Sequence, residues 1–296
     1  MKSSLIYYLT KAILIFFSWF SLPVNHYFGK LLGKLFYFFN NPAKKISSIN
    51  IRACFPQLTD QEHQLMLKKN MIELGKTMTE LGPVWLWPAE KILQQLHVEG
   101  EELVLAALQE KRGVILITPH LGCWEMSGLY VGYRFKCTSI YQSPKINSLD
   151  PILRQARERG GGKLLSADNR GLAALLKALR KGQAIGMLPD QTPKELSSGT
   201  FAAFFKRPAL TINLLASLAR KSGAAVFICF ANRQAKGQGY KLHFYPAEAD
   251  IDSKDNLISA RALNQSVELL INQAPEQYLW SYKRFKQVAQ GLDKIY

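Results

Sequence analysis

Residues Gly113–Gly128 read GVILITPHLGCWEMSG. The run from Val114 to Ile117 is apolar without interruption, and Pro119 ends it. Runs of this kind suit a central strand buried on both faces, as in parallel sheets held between helix layers. Proline cannot donate to a sheet ladder, so the strand stops there. His120 therefore falls just past a strand end, where open α/β sheets place their sites. Glu125 follows five positions later. Within one continuous helix, five residues advance about 500°, leaving the two side chains about 140° apart. They can meet only if His120 precedes the helix and Glu125 lies in its first turn. Gly122 eases the tight turn this needs, and a glutamate suits a helix N-terminus. The Glu125 carboxylate could then accept from one imidazole nitrogen, leaving the other as a base toward a hydroxyl. A surface histidine at a strand end is the plain alternative, and the stretch alone does not choose between them.

The same arrangement recurs. GLAALLKALRKGQAIGMLPD (Gly171–Asp190) reads as helix, Gly182 stop, apolar strand, then Pro-Asp. Asp190 and Gln191 are expected on the same sheet edge as His120; a cap or turn role for Asp190 is the bland reading. LHVEGEELVLAALQEKRG, ending at Gly113, predicts strand, turn, helix, and LASLARKSGAAVFICFANR (Leu215–Arg233) helix, Gly223, strand. YKLHFYPAEA from Tyr240 alternates like an edge strand. A capped helix is expected to start at Thr59-Asp60-Gln61-Glu62 and to stop at Gly82-Pro83. The fold class is α/β: a mixed, mostly parallel sheet flanked by helices, with an N-terminal membrane-binding helical segment.

The N-terminal expectation rests on charge and aromaticity. The 296 residues carry 38 Lys plus Arg against 22 Asp plus Glu, a net charge of +16. That excess calls for an anionic partner. No acid occurs before Asp60, while Lys2, Lys11, Lys30, Lys34, Lys44, Lys45 and Arg52 do. Lysines among Phe, Tyr and Trp suit a lipid interface with anionic headgroups; a nucleic-acid arm would be basic and polar. Leu5–Val24 is about long enough to cross a bilayer, which takes roughly 20 residues, but Lys11 in its middle favours a tilted or flat helix. Pro23 and Asn25 break the pattern, and Tyr27–Phe39 follows as an amphipathic stretch. Two core helices of a soluble protein are the alternative. Residues 1–45 are read as the membrane anchor and 46–296 as the catalytic domain. Four widely spaced cysteines, without C-x-x-C, fit neither a disulfide framework nor a zinc site.

Arg154, Arg157, Arg159 and Lys163 cluster next to a glycine run. A solvated basic helix explains them, and so does phosphate recognition by the arginine fork. The chain contains no G-x-S-x-G and no H-E-x-x-H, which leaves direct attack by a substrate hydroxyl.

PHLGCWE resembles the H-x4-D/E element of glycerolipid-type acyltransferases, in the form found in the lipid A biosynthesis acyltransferases (lauroyl and myristoyl type). IYQSPKINSLDPILRQARERGG, LRKGQAIGMLPDQ, FAAFFKRPALT and APEQYLWSYKRFK resemble further motifs of that family in the same order. Lys206 stands where the family has glycine, Ser148 where it has proline, and Tyr282 where it has histidine. The resemblance implies one-step transfer of a fatty acyl chain from an acyl carrier protein thioester, or coenzyme A, to a hydroxyl of a Kdo-bearing lipid A precursor. It implies His120 and Glu125 as catalytic residues. Arg159, Arg157, Asp190 and Gln191 would bind substrate. No metal or bound cofactor is implied. The expected location is the cytoplasmic face of a bacterial inner membrane, with no nucleic-acid partner. Acylation of another membrane lipid, or a non-catalytic lipid-binding protein of the same fold, are the alternatives.

Overall fold

The computed structural model of the chain describes residues 2–144 and 146–296; the side chains of Lys2, Ser3 and Ser4 lie outside the described part. Four helices come first: α1 (Lys2–Ser18), α2 (Leu22–Phe38), α3 (Pro42–Cys54) and α4 (Asp60–Leu86). A short α5 (Ala89–Leu93) leads into strands alternating with helices: β1 (Leu96–Glu99), α6 (Glu101–Gln109), β2 (Val114–Ile117), α7 (Trp124–Phe135), β3 (Thr138–Tyr141), α8 (Asp150–Glu158), β4 (Lys163–Ser166), α9 (Asn169–Arg180) and β5 (Ala184–Met187). Then follow β6 (Gly199–Phe204), β7 (Arg207–Ile212), α10 (Leu214–Ser222), β8 (Ala225–Arg233), β9 (Tyr240–Pro246) and α11 (Asn256–Ile271).

Among the described residues the main sheet has seven strands in the order β1-β9-β8-β2-β5-β3-β4. Its neighbours run parallel except β8 and β9. The expected mixed, mostly parallel sheet is therefore present. β2 sits near its centre, between β8 and β5. Side chains alternate across it: Ile115 and Ile117 enter the layer with α9, α10 and α11. Val114 and Leu116 enter the layer with α6 and α7. All four are at most 1% exposed, and each buried aliphatic side chain contributes about 1.5–3 kcal/mol. The strand thus has no polar face, which is why its sequence has none.

Three local expectations are corrected. α4 runs through Gly82-Pro83 to Leu86. Gly82 lets α1 lie against it, since a Cβ there would fall 2.7 Å from the Leu14 carbonyl oxygen. Tertiary packing overrides the helix-breaking signal of the pair. β9 is internal, between β1 and β8, and β1 is the edge strand on that side. ELSSGTFAAFFKRPAL (Glu195–Leu210), whose sequence suggests a loop and an apolar patch, instead supplies most of the antiparallel β6–β7 hairpin. Its left-handed turn residue is Phe205 (φ 51°), so the neighbouring Lys206 needs no glycine.

The four cysteines are free and buried. The capping box at Thr59 and Glu62 forms as expected. Between α1 and α2 the break falls at Phe20-Ser21. Pro23 occupies the first turn of α2, where a missing N–H costs nothing. Asn25 lies inside α2, and its side chain donates to the Phe17, Phe20 and Ser21 carbonyls. α2 packs on α4 almost backbone to backbone: a Cβ at Gly75 would sit 2.1 Å from the Gly29 carbonyl oxygen. The outer faces of α1 and α2 stay apolar and exposed, with Tyr8 at 67%, Tyr27 at 61% and Phe38 at 79%. No described helix is long and apolar enough to cross a membrane.

Candidate functional site

Strands β2 and β5 pair with Ile117 opposite Met187. His120 stands three residues past Ile117 and Asp190 three past Met187, each preceded by proline. Equal offsets from a shared register bring the two side chains together. His120 Nδ1 lies 2.8 Å from Asp190 Oδ1, and the His120 amide donates to Asp190 Oδ2 at 2.9 Å. A carboxylate accepts here, so Nδ1 carries the proton and Nε2 presents its lone pair. The Gln191 side-chain amide donates to that Nε2 at 3.2 Å. Asp190 is buried and the His120 side chain is 15% exposed. Burial alone would push the Asp190 carboxyl up. Attraction to the His120 ring when it is protonated, and the two hydrogen bonds from that residue, outweigh it and hold the carboxyl below its ordinary range.

Helix α7 opens at Trp124, so His120 precedes the helix and Glu125 occupies its first turn, as the spacing required. The Glu125 carboxylate, however, turns to other partners. It accepts from Arg157 Nη2 at 2.5 Å, from Arg157 Nε at 3.1 Å and from Trp85 Nε1 at 3.1 Å. Burial would raise its pKa; the Arg157 charge and hydrogen bond, aided by Trp85, hold it below the usual range. The hydrogen bond anticipated between His120 and Glu125 is thus replaced by two separate pairs, His120–Asp190 and Glu125–Arg157.

The two arginines differ. The Arg157 side chain remains one-third exposed beside Glu125, and its guanidinium lies over the Tyr141 ring, 5.6 Å from the centroid. Arg159 is spent on backbone carbonyls of Val84, Trp87 and Ala156, bracing α4 and α8. Desolvation pushes its pKa down to about 10.

The loop from Pro119 to Cys123 is held on every side. Gly122 has φ 59°, and a Cβ there would fall 2.3 Å from the Ala231 carbonyl oxygen, so only glycine fits. The Leu121, Gly122 and Cys123 amides donate to Pro119, Gln277 and Ala231 carbonyls. The His120 carbonyl accepts from Leu279. The amides of Trp124 and Glu125 lie in the first turn of α7, at the positive end of that helix.

Sequence reasoning missed the support beneath this loop. Arg233 donates through Nη2 to the Gly122 carbonyl at 2.9 Å and through Nε to Glu80 at 2.9 and 3.0 Å. Tyr240 donates its hydroxyl to Glu80, and His26 of α2 stands 3.2 Å from the same carboxylate. Burial would raise the Glu80 pKa, but Arg233 and His26 outweigh it and the carboxyl is held far below its usual range. An arginine ending a long buried strand and a glutamate on the buried side of α4 were the available signals.

The closing motif explains itself through the same loop. Gln277 accepts from the Arg233 amide at 3.0 Å, and the Tyr282 hydroxyl accepts from the Thr192 amide at 2.9 Å. Arg284 donates to the Leu210 carbonyl and to Thr211 Oγ1, tying the hairpin down.

Known proteins share this arrangement of sequence. The chain is 31% identical over 274 residues to the lipid A biosynthesis lauroyltransferase of Escherichia coli (strain K12), covering 93% of this chain and 89% of that protein. It is 30% identical over 275 residues to the palmitoleoyltransferase of lipid A biosynthesis from the same organism, with the same coverage. A lipid A biosynthesis acyltransferase of Haemophilus influenzae is 28% identical over 268 residues, which is 89% of this chain and 83% of that protein. The bacterial lipid A biosynthesis acyltransferase profile matches residues 1–287. With a match over nearly its whole length, the chain belongs to the bacterial lipid A biosynthesis acyltransferase family.

Proposed function

We propose that the protein transfers a fatty acyl chain from an acyl carrier protein thioester to a hydroxyl of a Kdo-bearing lipid A precursor. The observation that carries the mechanism is the 2.8 Å contact between His120 Nδ1 and Asp190, which leaves Nε2 unprotonated. The acceptor hydroxyl displaces the Gln191 amide from Nε2 and gives up its proton there. Its oxygen bonds to the thioester carbonyl carbon, and the resulting oxyanion meets the Trp124 and Glu125 amides. The C–S bond then breaks, and the sulfur takes the proton back from His120. Glu125 fixes Arg157 beside the reacting groups, and the exposed part of Arg157 offers charge to the anionic acceptor. Arg159 contributes by setting the position of α8. The chemistry runs on side chains and amides, with the acyl donor as co-substrate.

The family and the net charge of +16 support an anionic lipid acceptor and an acidic carrier protein. The exposed apolar faces of α1 and α2, with Lys11, Lys30 and Lys34 exposed among them, support docking flat on the cytoplasmic face of the inner membrane. Mass spectrometry of lipid A from cells with and without the protein tests the reading. Loss of the protein should remove one acyl chain from lipid A. Loss from His120→Ala cells but not from wild type should assign the chemistry. An unchanged lipid A profile in the deletion would sink it.

A further inference from the structure

A cleft opens beside Glu125. One wall is the Trp124–Gly128–Gly132 line of α7, and Ile140, Leu164 and Leu188 face it. The two glycines have different reasons to be there. A Cβ at Gly132 would sit 3.2 Å from the Cα of Gly162, so helix and loop touch at that point and the far end of the cleft is backbone. A Cβ at Gly128 would meet nothing within 4 Å. Gly128 has no positive φ and lies inside a helix, where alanine is the more stable residue. Packing and backbone geometry therefore give no reason for glycine at 128. What its missing side chain does is keep the cleft open.

The position of the cleft selects its occupant. A thioester oxygen held by the Trp124 and Glu125 amides places its carbonyl carbon at the start of α7. The chain on that carbon then runs along the Trp124–Gly128–Gly132 line, about 12 Å from first residue to last at 1.5 Å per residue. The acceptor, by contrast, approaches from the His120 Nε2 side, beside Gln191. We infer that the donor's acyl chain lies on this strip, and that Gly128 sets the chain length the enzyme accepts. The inference rests on acyl transfer as proposed above.

The test offers the purified protein an equal mixture of acyl carrier protein thioesters from ten to sixteen carbons and reads the product chain lengths by mass spectrometry. Gly128→Ala and Gly128→Leu should shift the product toward shorter chains, the leucine variant raising the short-to-long ratio at least tenfold and alanine less. Identical distributions in wild type and both variants overturn the inference. A parallel calorimetric titration with decanoate to hexadecanoate judges the cleft apart from the reaction. Gly128→Leu should weaken the longest acid most, and equal affinities across the series for wild type and variant also overturn it. Wild-type protein that transfers no chain from any donor refutes the proposed reaction, and the titration still decides whether the strip holds an acyl chain.

Discussion

Replacing Asp190 with asparagine keeps the side-chain shape and removes the charge that fixes the proton on His120 Nδ1. General-base catalysis is typically worth about 10²–10⁴-fold. His120→Ala should lower kcat by that range, and Asp190→Asn should approach it with little change in KM. Steady-state kinetics with a purified lipid acceptor check both; a fully active Asp190→Asn variant would return the orienting role to Glu125. The carboxyls of Asp190 and Glu125 also predict an acid response. Both are held below their ordinary values in the fold, which are about 3.9 and 4.3 for free Asp and Glu. Such groups stabilise fully above those values, and the contribution disappears as pH falls through the lower folded ones. Urea midpoints should stay level from pH 7 to about 5 and drop below about 4. Glu125→Gln should lose stability at pH 7, and its deficit against wild type should shrink on acidification. The sequence put His120 and Asp190 just past strand ends and Glu125 in the first turn of a helix. It did not reveal which carboxylate the imidazole meets, because that depends on the β2–β5 register and on Arg157 arriving from α8.

At the scale of elements, the strands read most easily were those buried on both faces. β2 and β5 have no polar side to confuse, and proline stops each one. The elements misread are those whose neighbours decide: α4 passes through Pro83 because α1 covers it, and β9 alternates although β1 pairs beyond it. Helix pairing gives a sharp prediction here. Gly75 admits no Cβ against Gly29 and Gly33 of α2. Gly75→Ala should destabilise the protein by about 1–3 kcal/mol, the usual cost of overpacking, read as a lower thermal midpoint. The network under the His120 loop gives another. Glu80 and Arg233 are each 1% exposed, and removing one partner of a buried pair costs about 3–5 kcal/mol. Arg233→Met should show that loss in chemical denaturation, and Glu80→Leu added to it should restore much of the stability without restoring activity. Activity stays low because the Gly122 carbonyl has lost its donor.

At the scale of the molecule, charge and apolar surface are arranged for one side. Lysines sit among exposed aromatics on α1 and α2, and the first 59 residues hold no acid. Sedimentation with vesicles should show strong binding when anionic lipid is present, weakening as salt rises. Equal binding to neutral vesicles would assign attachment to apolar contact alone. Composition made this polarity legible, because it needs no knowledge of contacts. The buried Glu80–Arg233–His26 group was hidden for the opposite reason: its members come from α4, β8 and α2, and only the folded chain joins them.

The loop carrying His120 is fastened by residues made much later. Leu279 and Gln277 hold its backbone, Arg233 holds Gly122, and Asn50 of α3 in turn grips the Trp280 and Tyr282 carbonyls. During synthesis, a ribosome that has released residue 200 has already delivered the histidine but not Arg233, Gln277 or Leu279. A half-translated chain therefore carries its reactive imidazole on an untied segment. On the proposed mechanism, a competent base is assembled only after the last tenth of the polypeptide emerges, so the order of translation would itself guard against premature chemistry.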